Sequence, residues 1–292
     1  MQKENSLPNL YQHFFFPILS LKDMSQGKLS FVGLGLYDEK DLSLKALETI
    51  KESDYVYAEF YTSILSGSTV EKLEEICGKK IMVLNREETE NGTIFLSKAK
   101  TNKVSLLIGG DALTATTHVD LRIRGIQQGI DTQVIHGSSV VTAVPGLLGL
   151  QHYKFGRITT LVTPEKNYFP LSPYDLIKEN KKQGLHSLVL LDIKAEKNQF
   201  MTAEQALEVL WKMEEQKQEG LFSKKDVICV VARAGSDHPL VKADTFENLE
   251  KQSFGSPLHA VVVPGNLHFM EIEALQILAD LPASVAKKLQ KV

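Results

Sequence analysis

From Lys28 onward the spacing of apolar residues switches repeatedly between the two-residue period of a strand and the longer period of a helix face. "KLSFV" predicts a strand, and "DLSLKALETIKES" a helix with Leu44, Leu47 and Ile50 on one face. "YVYAEFY" is the next strand, "TVEKLEEICG" a short helix ended by Gly78, and "KKIMVL" a third strand. The polar segment "EETENGTIFLSKAK" has weak helical character and precedes the strand "VSLLI". A helix in "TTHVDLRIRGIQQG", the strand "DTQVIH", a helix in "SSVVTAVPGLLGL" and the strand "RITTLVT" continue the rhythm. Apolar strands alternating with helices predict a parallel sheet covered on both faces, the α/β class.

The rhythm breaks at "PEKNYFPLSPYD", where Pro164, Pro170 and Pro173 crowd a short span, as in a linker. It then resumes with helix "DLIKENKKQG", strand "HSLVLLDI", long helix "TAEQALEVLWKMEEQKQ" and strand "DVICVVA". Helix "ADTFENLEKQ", strand "LHAVVV" and helix "MEIEALQILADL" close the chain. Two α/β domains are expected, residues 28–163 and 164–292. Residues 1–27 stand apart. No cationic n-region precedes their "YQHFFFPILSL" and no small-residue cleavage site follows it, and the segment lacks arginine, so it reads as a loose extension or an over-long start with Met24 nearer the true one.

Composition narrows the function classes. The 292 residues are 43% hydrophobic and 24% charged with a net charge of −3, which gives no polyanion-binding surface, so no nucleic-acid partner is expected. No apolar run reaches the length of a membrane span, and no membrane partner is expected. Cys77 and Cys229 lack metal-ligand spacing and read as buried free thiols of a cytoplasmic protein. The 8 histidines are scattered without an HExxH, so no protein-built metal site is expected.

The chemistry concentrates at strand ends, where open α/β sheets bind ligands. "VGLGLYDEKD" carries Gly33 and Gly35 of a nucleotide-binding turn, but Asp38 stands where a dinucleotide site needs its third glycine. That leaves a plain tight turn as the simpler reading. In "LLIGGDALTATTH", Gly109 and Gly110 permit close approach of a ligand to the backbone, and Asp111 is an acid at the mouth of an apolar strand. Taken alone, Asp111 caps a helix beginning near Thr114 or accepts hydrogen bonds from a ribose or amino group. Further polar, flexible strand ends occur at "VIHGSS", at Asp192, at Arg233 and Gly235, and at Gly265. Their convergence on one cleft would suit a small polar ligand. No G-x-S-x-G elbow supports nucleophilic catalysis.

From about Leu29 to Leu281 these motifs resemble the diphthine synthases, a branch of the tetrapyrrole methylase superfamily. "VGLGLYDEKDLSLKALE", "GGDALTATTHVDLRIRG" and "VVARAGSD" carry the resemblance, and "NYFPLSPYD" with "LLDIKAE" makes it specific. It implies two α/β domains with the cofactor cleft between them, S-adenosyl-L-methionine as cofactor and S-adenosyl-L-homocysteine as product. It also implies a homodimer acting on translation elongation factor 2. The acceptor would be the amino group of a 2-(3-amino-3-carboxypropyl)histidine residue, methylated successively on the route to diphthamide. The family's cofactor contacts fall on Leu36, Asp111, Thr114, Ser139, Val140, Leu191, Ala234 and His259. Ala112 and Thr114 depart from the family's common proline and apolar residue at those positions.

Methyl transfer from a sulfonium needs no acid for its leaving group, because the cofactor carries the activation. The incoming amine must lose a proton, and no catalytic base is identified, though His259 is a candidate. "LLDIKAEKNQFMTAEQALE" runs without the insertion associated with ester-forming members, a resemblance to the trimethylating group that implies three methyl groups, all on nitrogen. The alternatives are a tetramethylating, ester-forming diphthine synthase, a methyltransferase of corrinoid precursors, and a non-catalytic binding protein on the same scaffold.

Overall fold

A computed structural model describes residues 27–290, so the expectation of a loose extension over 1–27 lies outside the described residues except for Gly27. The first part runs β1 (Lys28–Gly33), α1 (Leu44–Glu52), β2 (Tyr55–Glu59), α2 (Val70–Cys77), β3 (Ile81–Leu84), α3 (Arg86–Asn91), α4 (Thr93–Ala99), β4 (Lys103–Ile108), α5 (Val119–Gln127) and β5 (Asp131–Ile135). The remainder runs α6 (Val140–Leu148), β6 (Thr159–Leu161), α7 (Ser172–Lys182), β7 (Ser187–Leu191), β8 (Ile193–Lys194), β9 (Gln199–Phe200), α8 (Ala203–Lys217) and β10 (Val227–Ala232). It closes with β11 (Leu240–Thr245), α9 (Phe246–Leu249), β12 (His259–Val263), α10 (Phe269–Leu278) and α11 (Ala283–Leu289).

The first sheet has the order β3-β2-β4-β1-β5, and every pairing in it is parallel. Successive residues point to opposite faces, and both faces are buried. Phe31 and Leu106 pack with Phe95 and Ala99 of α4 and Leu121 of α5. Val32 and Leu107 pack with Ala46 and Ile50 of α1 and Leu73 of α2. Each of the larger of these side chains, the valine, leucines, isoleucine and phenylalanines, contributes roughly 1.5–3 kcal/mol by leaving water. The helix face of α1 differs from expectation: Ile50 is buried and Leu47 packs against the core, whereas Leu44, the first residue of the helix, is 80% exposed. The polar segment expected to be weakly helical forms both α3 and α4. A capping box closes the start of α3, with Asn85 and Glu88 each taking the other's backbone N–H. Such a cap is worth about 1 kcal/mol.

The second sheet has the order β11-β10-β12-β7-β6, and here the sequence reading needs correction. Only β6 and β7 run parallel, while the β12–β7, β10–β12 and β10–β11 pairings are antiparallel. A strand buried on both faces is apolar throughout whatever its neighbours' direction, so the pattern could not distinguish the two. Tyr174 and Ile177 of α7 and Leu207 of α8 cover one face, and Val144 of α6 with Leu275 of α10 covers the other. The strand "RITTLVT", expected to belong with the first half, pairs through β6 with the second sheet, and α6 packs there too. The passage between sheets thus follows β5 and precedes the proline-rich segment. In "ADTFENLEKQ", the first three residues end β11 and only Phe246–Leu249 is helical.

Candidate functional site

Chain connections leave the neighbouring strands β1 and β4 in opposite directions. The route from β1 leads past β4 to β2, and the route from β4 leads past β1 to β5. Loops diverging from adjacent carboxyl ends open a crevice there. Glycines let the three strand ends approach. A Cβ built on Gly137 would stand 2.5 Å from the Gly110 carbonyl oxygen, and one on Gly33 would stand 2.6 Å from the Gly137 nitrogen. Gly35 and Gly110 exchange backbone hydrogen bonds of 3.1 and 2.7 Å, joining the two loops just beyond the sheet.

A cavity of about 500 Å³ opens at this point. From the first sheet it is lined by Leu36 after β1, by Asp111 and Thr114 after β4, and by Ser139 and Val140 at the start of α6. From the second it is lined by Leu191 at the end of β7, Ala234 after β10, and His259 at the start of β12. The last three converge because β12 runs antiparallel to its neighbours: its first residue, His259, pairs with Ala232 at the end of β10, and Ala260 pairs with Leu190. The two groups of loops also touch, since a Cβ on Gly235 would lie 2.7 Å from the Leu36 Cβ. All eight sequence-predicted positions therefore share one cavity.

Asp111 does not cap a helix. The following helix, α5, begins only at Val119, and its preceding residue His118 makes no side-chain cap. Instead the carboxylate closes a turn, accepting from the Leu113 N–H at 3.2 Å and the Thr114 hydroxyl at 3.0 Å through one oxygen. Its other oxygen accepts from His136 Nδ1 at 2.8 Å. Burial pushes this carboxyl up, but the bonds from His136, Leu113 and Thr114 outweigh it and leave the group below its usual range. Asp111 is thus an anion at neutral pH, facing a cavity. His136 escaped the sequence reading. The signal was its place at the end of "DTQVIH", because β4 and β5 flank β1 on either side and run parallel to it, so both end at the same edge of the sheet.

Leu36 owes its position to Asp41, whose Oδ2 accepts from the Leu36 and Tyr37 N–H groups at 3.0 and 2.7 Å. Ser139 caps α6, its hydroxyl accepting from the Val141 N–H at 3.2 Å. His259 has both ring nitrogens engaged. Nδ1 accepts from the Ala203 N–H at 2.9 Å, so Nε2 carries the proton and donates to the Ser256 carbonyl at 3.0 Å. Burial pushes the imidazole down from its usual range, which keeps it neutral. No lone pair is left to take a proton from a substrate, and His259 does not fit the part of base.

The sequence reading also missed a third wall, built by the loop after β2 and by α3. Tyr61, Thr62 and Ser63 line the cavity, as do Arg86 and Glu90. A buried pair fixes this loop: Glu59 accepts from His118 Nε2 at 3.0 Å and from the Thr62 N–H at 3.1 Å. His118 also stacks on Tyr61 with ring centroids 6.2 Å apart. Burial, then the nearby Glu59 and Glu90 charges, push the Tyr61 phenol up to about 12, so it remains a hydroxyl. The strand "YVYAEFY" was legible, but nothing in its spacing showed that its end and α3 face the same cavity.

Comparison with known proteins adds the family. Residues 28–250 match the family Tetrapyrrole (Corrin/Porphyrin) Methylases. The chain is 48% identical over 267 residues to a diphthine synthase of Methanosarcina barkeri, covering 90% of this chain and 100% of that one. It is 51% identical over 256 residues to a diphthine synthase of Methanocella arvoryzae, covering 87% and 98%. A crystal structure of diphthine synthase superposes with a TM-score of 0.81 at 40% identity, over 89% of this chain and 99% of that one.

Proposed function

The chain belongs to the diphthine synthases within the tetrapyrrole methylase family, and from that membership we propose the substrate, the residue roles and the outcome of its reaction. It is an S-adenosylmethionine-dependent methyltransferase. We assign as its acceptor the amino group of a 2-(3-amino-3-carboxypropyl)histidine in translation elongation factor 2. The observation that carries the site assignment is the sharing of one cavity by residues as far apart in sequence as Leu36 and His259.

The residues fit the cofactor. A volume of about 500 Å³ falls in the range of small-molecule sites. Gly110, with φ of +75° and no atom nearer than 4.0 Å to a built Cβ, offers bare backbone to a ligand. Bound S-adenosylmethionine supplies an activated methyl group and a thioether leaving group. Asp111 would accept from one of its ribose hydroxyls and offset its positive charge. Leu36, Leu191 and Ala234 would form apolar walls, while Val140 and Ser139 would present the start of α6. What the protein contributes to the reaction is alignment of the amine and exclusion of water. His259 holds a wall of the cavity and takes no proton.

Each amine methylation leaves a nucleophile until the nitrogen is quaternary, so three additions can use one geometry, whereas an ester requires the weaker carboxylate nucleophile to be turned into line. We therefore assign three methyl groups, all on nitrogen. Incubation with labelled cofactor and elongation factor carrying the unmethylated intermediate tests this. Three base-stable labels per factor are expected. A fourth, lost in mild base, would place the enzyme with ester-forming members, and labelling of a corrinoid precursor in place of the factor would overturn the acceptor. We also assign a homodimer, checked by sedimentation equilibrium at micromolar concentration, where a monomer of 32.6 kDa alone would count against it.

A further inference from the structure

Two guanidinium groups and no ammonium line the cavity among the described residues: Arg233 and Arg86. Arg233 is turned onto the wall, donating through Nη1 to the Phe254 and Ser256 carbonyls at 3.0 and 2.6 Å. Arg86 is held differently. Its Nε donates to Glu90 at 2.8 Å, and its guanidinium carbon lies 5.7 Å from the Tyr61 ring centroid. These two contacts fix the plane of the group. Its Nη groups donate to no protein acceptor among the described residues. Arg86 and Glu90 also belong to an open groove lined by Asn85, Glu87, Asn91 and Glu196, so Arg86 stands where the cavity meets the outside.

A side chain carried by a large protein must reach the methyl group through such a mouth. The proposed acceptor brings a carboxylate on the carbon that bears the reacting amine. Burying that anion without a partner would be costly; Arg233 is already turned onto the wall, and apart from the two arginines the charged side chains lining the cavity, Glu90, Asp111 and Asp192, are acids. We propose that Arg86, oriented by Tyr61 and Glu90, binds the carboxylate of the acceptor side chain through its Nη groups. The contact sets which carbon substituent faces away from the methyl donor and selects an acid-bearing acceptor over a neutral one. This assignment rests on the proposed acceptor.

The test compares the wild type with Arg86→Gln and Arg86→Lys on elongation factor carrying the unmethylated intermediate, and on the same factor with that carboxylate converted to a primary amide. Arg86 is exposed, so folding is expected to survive in both variants and is checked by melting. Loss of a charge-assisted bond predicts a roughly ten- to hundredfold rise in KM for the carboxylate acceptor in Arg86→Gln, with kcat changed far less. Arg86→Lys recovers part of it, since the charge remains without the fork. Wild-type preference for the carboxylate over the amide should collapse in Arg86→Gln. Affinity for S-adenosylhomocysteine, read by calorimetry, should stay within about twofold of wild type. A large fall in that affinity would assign Arg86 to the cofactor and overturn the proposal, as would an unchanged preference for the carboxylate. Failure of the wild type to label this factor at all would bring down the acceptor assignment itself, and this contact with it.

Discussion

Asp111→Asn and Asp111→Ala together separate the charge of this residue from the turn it closes. A carboxylate offers about four lone-pair directions. Three are taken by the Leu113 N–H, the Thr114 hydroxyl and His136, which leaves one for a ligand. One bond to a charged acceptor is worth roughly 1.5–3 kcal/mol, or about ten- to more than a hundredfold in affinity. In Asp111→Asn the amide oxygen can still accept from Leu113 and Thr114, and its NH₂ can face a His136 ring that has exchanged tautomers. The turn should then persist, and S-adenosylhomocysteine affinity should fall about tenfold. Asp111→Ala removes the charge and the turn together, so affinity should fall toward the upper end of the range. Its cost in stability should be only about 1–2 kcal/mol, because His136 is largely exposed and regains water. Calorimetry with S-adenosylhomocysteine and urea unfolding of the same samples measure both quantities. If both variants bind as tightly as wild type, Asp111 merely closes a turn and the site assignment fails. If Asn binds normally while Ala does not, Asp111 acts through loop shape and not through charge.

Gly137→Ala places a Cβ 2.5 Å from the Gly110 carbonyl oxygen, and backbone cannot yield cheaply there, so urea unfolding should show a loss of about 1–3 kcal/mol. An unchanged midpoint would refute the tight meeting of the strand ends. His259→Gln should weaken cofactor binding and lower the melting temperature without removing an ionisation from the pH profile of kcat, and disappearance of the acidic limb would restore His259 as a base. Burial pushes the Glu271 carboxyl up, but Lys154, the His268 and Gln151 N–H groups and His186 outweigh it and bring it down to about 2. Because the folded value lies below the ordinary 4.5, its contribution is full above that pH and is lost as pH falls towards about 2. Glu271→Gln should therefore lose less stability than wild type between those limits, and parallel pH–stability curves would sink the argument.

The α/β class and most of the helices and sheet strands were legible in the sequence, because burial on one helix face leaves a helical period and burial on both faces of a strand leaves a short, continuous apolar run between turn residues. Strand direction was not legible. β7, β10 and β12 are as uniformly apolar as the parallel strands of the first sheet, since covering by helices erases the alternation that marks a half-exposed antiparallel strand. β11 was missed for a related reason: as an edge strand it is only partly buried, and its last residues run straight into α9.

The site divides along the same line. The glycine turns and Asp111 announced themselves locally, by residue types that a strand end uses for close approach, and the family resemblance nominated the other positions. Sequence pattern thus determined which segments could bind a ligand. Only the tertiary structure decided which of them meet: the opposed connections from β1 and β4 opened the crevice, and the antiparallel return of β12 carried His259 to it. It also disclosed that His259 has no free lone pair, that His136 grips Asp111, and that Arg86 overlies Tyr61 at the cavity mouth. The physical reason is that a residue's type and neighbours set its local conformation, whereas hydrogen-bond occupancy and proximity depend on partners tens to more than a hundred residues away, and sequence spacing carries no trace of those.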